Sequence, residues 1–332
     1  MGRGKKRGRP GPKRSDRGGA GERGDTKSKR PEHWTDSADL VNPRFEAYYQ
    51  AQGIIPSAKQ EGTEAGSQPS EEWQEFMTAM RQPLPTTFRV TAGRPFTQMI
   101  IKTIEEEHIA HLNNIEFEGE KVQAPSRLDW YPRGLGWHLD VKKAVLRKQE
   151  QFKKFQGWLV HETNTGAISR QEAVSMVPPL FLNVQHDHLV LDMCAAPGSK
   201  TAQLLEGIHA PLLDKDGKPP AQGEGKELET IPLGLVVAND SDGRRAALLK
   251  HQSARVASPS LVVCNTDARF FPNLTVPYLS ASAEKKAERV EYKDIKYDRI
   301  LTDVPCSGDG TLRKNLLIWK KWTFADGNGL HK

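Results

Sequence analysis

Apolar and polar positions along the chain fall into stretches of different period. The sharpest is the run Leu189-Val190-Leu191-Asp192-Met193, which has strand length and stops at small residues. Pro197 and Gly198 then force a tight turn, and Lys200 to Glu206 has helix-forming character with Leu204 and Leu205 turned inward. The same rhythm recurs downstream. It predicts strands over 189–193, 233–238, 260–264 and 298–303, with helices over 200–208 and 243–255. Strands alternating with helices in this way predict an α/β fold with a parallel, doubly wound sheet. The polar stretches 211–231 and 279–296 read as insertions on the surface.

Upstream the pattern is more broken. A short aromatic segment over 42–52, with Phe45, Tyr48 and Tyr49, predicts a helix docked on the domain that follows, and residues 53–71 read as linker. Residues 73–80 predict a helix stopped by Pro83 and Pro85, and Thr87-Phe88-Arg89-Val90 opens a strand by alternation. Phe96, Met99, Ile100 and Ile104 share one helical face, and residues 115–122 complete a small α/β module. A further helix within 125–165 sets Val141, Ala144, Val145, Phe152 and Phe155 against Lys142, Lys143, Arg147 and Lys148. Those cations suit a phosphate backbone as well as a solvated face. Ser169-Arg170-Gln171-Glu172 fits a capping box and predicts a helix from 169 that ends before Pro178-Pro179.

Charge changes the picture at one end only. Of the net +6, residues 1–30 carry 12 Lys or Arg against 3 Asp or Glu, leaving 36 against 39 in the rest of the 332 residues. This Gly-, Pro- and Arg-rich stretch cannot form a core and is expected to be disordered. Lys5-Lys6-Arg7-Gly8-Arg9-Pro10 reads as a nuclear import signal or a polyanion-binding arm, with a minor-groove hook and a solubilising tail as the other readings. No apolar run is long enough to span a bilayer. Three cysteines without paired spacing predict reduced thiols and no metal site.

The chemistry concentrates after the first core strand. Gly198-Ser199-Lys200-Thr201 is not a phosphate loop, because Ser199 separates Gly198 from Lys200 and Met193 occupies the earlier glycine position. The dinucleotide glycine triad is absent too. A turn of small residues with one lysine suits a ligand carrying an adenosine and a carboxylate, such as S-adenosylmethionine. Asp240 ends the second strand, where a carboxylate can accept ribose hydroxyls, and Asp267 follows the third, where a side chain can bond an adenine amino group. Asp303 and Cys306 close the fourth strand three residues apart.

Three stretches carry a resemblance: Cys194 to Thr201, Asp303 to Gly310, and Arg170 to Pro179. Together they resemble the Nop/Sun family of RNA (cytosine-5) methyltransferases, in its tRNA-modifying branch. The resemblance implies a Rossmann-like S-adenosylmethionine-dependent methyltransferase domain over 166–332, an accessory RNA-binding region over 41–165 and a basic tail over 1–40. It puts Cys194, Ala195, Ala196, Pro197, Gly198, Ser199, Lys200, Asp240, Asp267 and Asp303 in the donor pocket. Arg170, with Lys142 and Lys143, is assigned to RNA, although Arg170 could equally pair with an acid. A packing role is as open to the accessory module as RNA binding, since no paired aromatics on a strand announce base stacking.

The implied chemistry uses thiols. Carbon 5 of cytosine is a poor nucleophile until a thiolate adds to carbon 6, after which a base removes the carbon 5 proton and the thiol leaves. In this family the attacker is a cysteine in a Thr-Cys pair on a later strand, and the thiol equivalent to Cys306 assists product release. No Thr-Cys pair occurs in these 332 residues. The expectation is therefore a fragment or truncated form, lacking the last strands, with the Asp303 strand left as an apolar edge, weak in donor binding and prone to aggregate. A catalytically inactive RNA-binding adaptor is the alternative. Methylation of protein or DNA fits less well, because Asp303-Val304-Pro305-Cys306 is not the Pro-aromatic motif of amide methylases and DNA enzymes lack the Arg170-Gln171-Glu172-Ala173 stretch. A nuclear or nucleolar monomer is expected.

Overall fold

The computed structural model describes residues 40–55, 70–141, 143–210, 232–280 and 289–329. The basic tail, the stretch 56–69, Lys142 and the polar stretch 211–231 lie outside them. The chain opens with helices α1 (Pro43–Ala51) and α2 (Glu71–Arg81), then β1 (Thr86–Val90) and α3 (Thr97–Lys102). A π-helical stretch over Thr103–Ile109 carries α3 into the short α4 (Ala110–Leu112). The small strands β2 (Glu116–Phe117), β3 (Glu120–Lys121) and β4 (Ser126–Arg127) follow, then β5 (Gly136–Leu139), α5 (Lys143–Lys148), α6 (Glu150–Thr165), β6 (Ile168–Arg170) and α7 (Ala173–Phe181).

The remaining elements are β7 (Leu189–Asp192), α8 (Ser199–Ile208), β8 (Leu235–Asn239), α9 (Gly243–Ser253), β9 (Leu261–Cys264), β10 (Thr275–Ser280), β11 (Arg289–Asp294), β12 (Arg299–Leu301), α10 (Leu317–Lys321) and α11 (Phe324–Asn328). No described helix is long and apolar enough to cross a membrane.

Two sheets organise the molecule. The downstream sheet is parallel, in the order β12-β7-β8-β9, and its strands follow the expected apolar runs to within a few residues. Its core is Val190, Leu204, Leu205, Val236, Ala238 and Leu249, all essentially without exposure. Among the described strands β12 is an edge, with Ile300 half exposed. The upstream sheet is antiparallel, β4-β5-β1-β6, and packs Phe88 and Trp137 against Phe155 and Leu159 of α6 and Ile104 of the π-helical stretch.

The structure corrects several local expectations. Ser169 and Arg170 lie in a strand, because β1 offers free edge groups and pairs Arg89 with Ser169 and Phe88 with Arg170. Helix α7 therefore begins at Ala173, with Glu172 as N-cap and no side-chain cap bond. The upstream sheet reaches Arg170, past the expected division at 165/166. Pro178 and Pro179 sit inside α7 instead of ending it. Pro179 has no N–H for the carbonyl of Ser175, and Gln171 Nε2 donates to that oxygen instead at 2.9 Å. Met99 is 62% exposed, so the apolar face of α3 runs through Ile100, Ile101 and Ile104.

The single helix expected before 165 is two, broken at Gln149 in extended backbone, although Val145, Phe152 and Phe155 are buried as expected. The stretch expected as a polar insertion over 279–296 supplies part of the β10-β11 hairpin, and residues 281–288 lie outside the described set. Finally, α1 forms over the aromatic segment and docks on α2, where Arg81 pairs with Glu46 at 3.2 Å, and it also reaches a distant part of the chain. Phe45 packs on Trp319 and Trp322, in a third core shared with Trp73 and Met77 of α2.

Candidate cofactor and active site

Strand β7 is buried on both faces and delivers Asp192 to the carboxyl edge of the parallel sheet. The chain reverses through 193–198 and enters α8 at Ser199. Gly198 makes this possible with φ +108°, and a Cβ there would come within 2.9 Å of Leu249 Cδ1, so the position demands glycine on two counts. Leu204, Leu205 and Ile208 then anchor α8 in the core, fixing its amino terminus over the strand ends.

A cavity of about 670 Å³ opens at this edge. One wall is the turn: Asp192, Cys194, Ala195, Ala196, Pro197, Ser199 and Lys200, with Asp303 beyond β12. The other wall comes from the upstream half, with Arg170, Gln171 and Glu172, and from Lys314. Lys200 Nζ donates to Asp303 Oδ2 at 2.6 Å, which ties the first turn of α8 to the end of β12. Lys314 Nζ reaches Glu172 Oε1 at 2.6 Å across the opposite rim.

Asp192 is the least conventional group here. It is 1% exposed; Thr201 Oγ1 donates to its Oδ2 at 2.7 Å, and its Oδ1 has no hydrogen-bond partner among the described residues. Burial pushes its carboxyl up to about 6, against the lowering effects of Thr201 and Lys200. Cys194 shares the cavity, and burial first, then the charges of Asp240 and Asp192, raise its thiol above the ordinary value. That thiol stays protonated at neutral pH. Cys264 is raised as well, by burial.

The other expected residues are placed differently. Asp240 is buried and turned toward the protein: Ala196 N donates to its Oδ2 at 3.2 Å, Asp242 N to its Oδ1 at 3.1 Å, and Arg245 Nη2 stands 3.3 Å away. It braces the cavity turn from behind and is not among the residues that line the cavity. Asp267 also stands outside the lining. Arg269 donates to it at 2.6 Å and holds its carboxyl down to about 2. Gly198 backs the turn and faces a smaller cavity of about 230 Å³ shared with Arg170, Gln252 and Arg255.

Cys306 is the exposed cysteine, on the loop after β12. Three residues later the loop is pinned, since Asp309 accepts from Trp322 Nε1 at 2.7 Å and from the Tyr49 hydroxyl. Arg170 is exposed at the end of β6, where both cavities reach it. Of the two other cations expected to meet RNA, Lys142 and the side chain of Lys143 lie outside the described residues.

Sequence reasoning missed Arg89, Gln171 and Glu206. Arg89 is fully buried beside the turn, and its guanidinium pairs with Glu206. The signal was present as a charge between the apolar Phe88 and Val90, and as Glu206 in the apolar run from Leu204 to Ile208.

With this geometry in view, comparison with known proteins is specific. A family model described as 16S rRNA methyltransferase RsmB/F matches residues 226–326. A multisite-specific tRNA:(cytosine-C(5))-methyltransferase of Saccharomyces cerevisiae is 44% identical over 92% of this chain and 39% of its own length. One of Schizosaccharomyces pombe is 42% identical over 90% of this chain and 42% of its own. A tRNA (cytosine(34)-C(5))-methyltransferase of Drosophila melanogaster is 41% identical over 87% of this chain and 35% of its own. The chain thus spans about two fifths of the length of the curated relatives it matches. The stretches from Cys194 to Thr201, from Asp303 to Gly310 and from Arg170 to Pro179, on which the chain resembles the Nop/Sun family of RNA (cytosine-5) methyltransferases, lie in a chain that is similar over about nine tenths of its length to tRNA cytosine-C(5) methyltransferases.

Proposed function

We propose that this chain binds S-adenosylmethionine in the cavity at the end of β7 and serves methylation of carbon 5 of cytosine in RNA, tRNA above all. The observation that carries the reading is the cavity itself. A volume of about 670 Å³ is the size of a small-molecule site, and it stands at the carboxyl edge of a parallel sheet before a helix amino terminus. The residues fit the donor. The turn brings small side chains and the free N–H groups of α8 to one wall, and the unpartnered Oδ1 of Asp192 leaves an acceptor for a cationic or hydroxyl group.

When bound, S-adenosylmethionine supplies an electrophilic methyl group. The chain's own residues position what surrounds it. Lys200 and Asp303, paired at 2.6 Å, hold the first turn of α8 against β12, and Asp240 with Arg245 holds the turn from the far side. Cys306, exposed between Asp303 and the pinned Asp309, is assigned the product-release role that the family resemblance implies. Cys194, Cys264 and Cys306 follow Met193, Val263 and Pro305, so none has the Thr-Cys setting of the attacking thiol, and we assign addition at carbon 6 to none of them. Arg170, exposed on the rim, is assigned to the RNA backbone. The basic string 5–10 supports a nuclear location.

Titration calorimetry with S-adenosylhomocysteine tests the reading directly. The wild-type chain is expected to bind, and Asp303→Asn, which releases Lys200, to weaken binding by about tenfold. Retention of a tRNA transcript with no heat from the donor product would instead establish an RNA-binding adaptor.

A further inference from the structure

A fully buried guanidinium is costly unless every part of it is met by a partner. Arg89, near the end of β1, is 0% exposed, and the way its three nitrogens are met is uneven in an informative way. Nη1 pairs with Glu206 Oε1, which already balances the charge. The other two arms reach further. Nε donates to Gln171 Oε1 at 2.9 Å, and Nη2 donates to the carbonyl of Ser199 at 3.4 Å. Gln171 and Ser199 both line the large cavity, one from the segment after β6 and one from the turn into α8.

The network continues from both. Gln171 Nε2 donates to the carbonyl of Ser175 at 2.9 Å and to Gln203 Oε1 at 3.2 Å, and Gln203 Nε2 donates to the carbonyl of Met176 at 2.8 Å. Glu206 Oε2 accepts from Ala92 N at 3.2 Å. Three segments distant in sequence, 89–92, 171–176 and 199–206, are thus joined by buried polar contacts, with one side chain at the centre. An ion pair whose task was to join two sheets would be complete with Arg89 and Glu206. The additional arms fix the wall that comes from the upstream half and the wall formed by the turn into α8.

We propose that Arg89 is a positioning residue for the donor pocket: from the upstream sheet it sets the spacing between the Gln171 wall and the Ser199 wall, so that the accessory half and the cofactor turn act as one pre-organised unit. The inference rests on the reading of this cavity as the donor site. Groups that orient a binding residue without touching the ligand govern affinity through geometry. The accessory half therefore contributes to donor affinity even if it never meets the donor.

The test is calorimetry with S-adenosylhomocysteine on the full 332-residue chain and three variants. Arg89→Lys keeps a positive charge for Glu206 but has one head group in place of the fork, and so cannot hold Gln171 and Ser199 together. Gln171→Met removes the amide bridge at similar volume. Ile104→Val loosens the fully buried core of the accessory half without touching the network. Arg89→Lys and Gln171→Met are each expected to weaken binding by about tenfold with native circular dichroism. Ile104→Val should lower the melting temperature yet bind within about twofold of wild type. If Arg89→Lys fails to fold, Gln171→Met decides. Binding within about twofold of wild type in the network variants, or an equal loss in Ile104→Val, overturns the inference while leaving the donor site intact. No heat with the wild-type chain removes the donor-site reading and this inference with it.

Discussion

Asp192 has a measurable thermodynamic signature. Its carboxyl lies at about 6 in the folded chain against an ordinary 3.8, chiefly because it is buried. The folded state therefore holds the proton more tightly than the unfolded state does, and stability contributed by Asp192 is fully present below about pH 4 and lost as pH rises through about 6. A difference of that size between the folded and unfolded chain corresponds to roughly 3 kcal/mol at neutral pH, an upper bound for a group that can relax. Asp192→Asn keeps an acceptor for Thr201 and removes the charge. It is expected to raise the melting temperature at about pH 7.5, by an amount that shrinks toward about pH 4.5, and thermal melts across that range check it. Equal gains at both ends would place the effect in packing and not in charge. Cys194 next to it follows the same physics: burial and two carboxylates keep its thiol protonated, which suits a wall of the pocket better than an attacking group.

Helices gain their places from partners that can be distant in sequence, and α1 is the clearest case. Asn42 caps it and, from the same side chain, donates to the carbonyls of Trp319 at 2.8 Å and Trp322 at 3.0 Å. Phe45 sits with ring centroids 5.5 Å from Trp319 and 5.3 Å from Trp322, and is 1% exposed. Phe45→Ala removes the centre of this cluster at a cost of about 3–5 kcal/mol. Because the cluster is separate from the two sheet cores, the loss is expected to be local: amide exchange should accelerate in α10 and α11 and stay unchanged in β1 and β5. Uniform acceleration would show a single cooperative core. That aromatic segment was legible in the sequence as something to be buried, but its partner lies some 280 residues away and no local pattern encodes it. Strands β7 and β8 were legible because a strand covered on both faces leaves an unbroken apolar run, and the outer strands β9 and β12, half exposed at Val262 and Ile300, keep short apolar runs as well. Ser169 to Glu172 misled for the opposite reason: the capping-box pattern is a local preference, and pairing with β1 outweighed it. The site divides in the same way. The turn 194–200 could be read from small residues at a strand end, and Asp303 came from the family resemblance, whereas Arg89, Gln171 and Glu206 acquire their role only when the upstream sheet meets α8.

Over the whole chain, the excess of positive charge is concentrated at one end. Residues 31–332 hold 36 Lys or Arg against 39 Asp or Glu, and around the cavity several cations are engaged. Lys200 is paired with Asp303, Lys314 with Glu172, and Arg313 donates to the carbonyls of Gln82 and Pro83, while Arg170 is exposed on the rim. Long-range attraction for a polyanion must then come mainly from residues 1–30, with 12 cations against 3 anions. Such attraction works by displacing counterions, so log affinity falls with log salt by roughly 0.7–0.9 per phosphate neutralised. Removing residues 1–30 is accordingly expected to weaken binding of a labelled tRNA transcript by more than about tenfold near 50 mM salt and to flatten the salt slope by about 3, as if some four phosphate contacts were lost. The two forms should converge as salt rises, because the short-range contacts proposed for Arg170 and the cavity rim would be common to both. Fluorescence anisotropy at a series of salt concentrations reads both quantities at once. An unchanged slope would move the electrostatic contact into the folded part and leave the basic string with an addressing role alone, while donor binding, which depends on the cavity, should be the same with and without the tail.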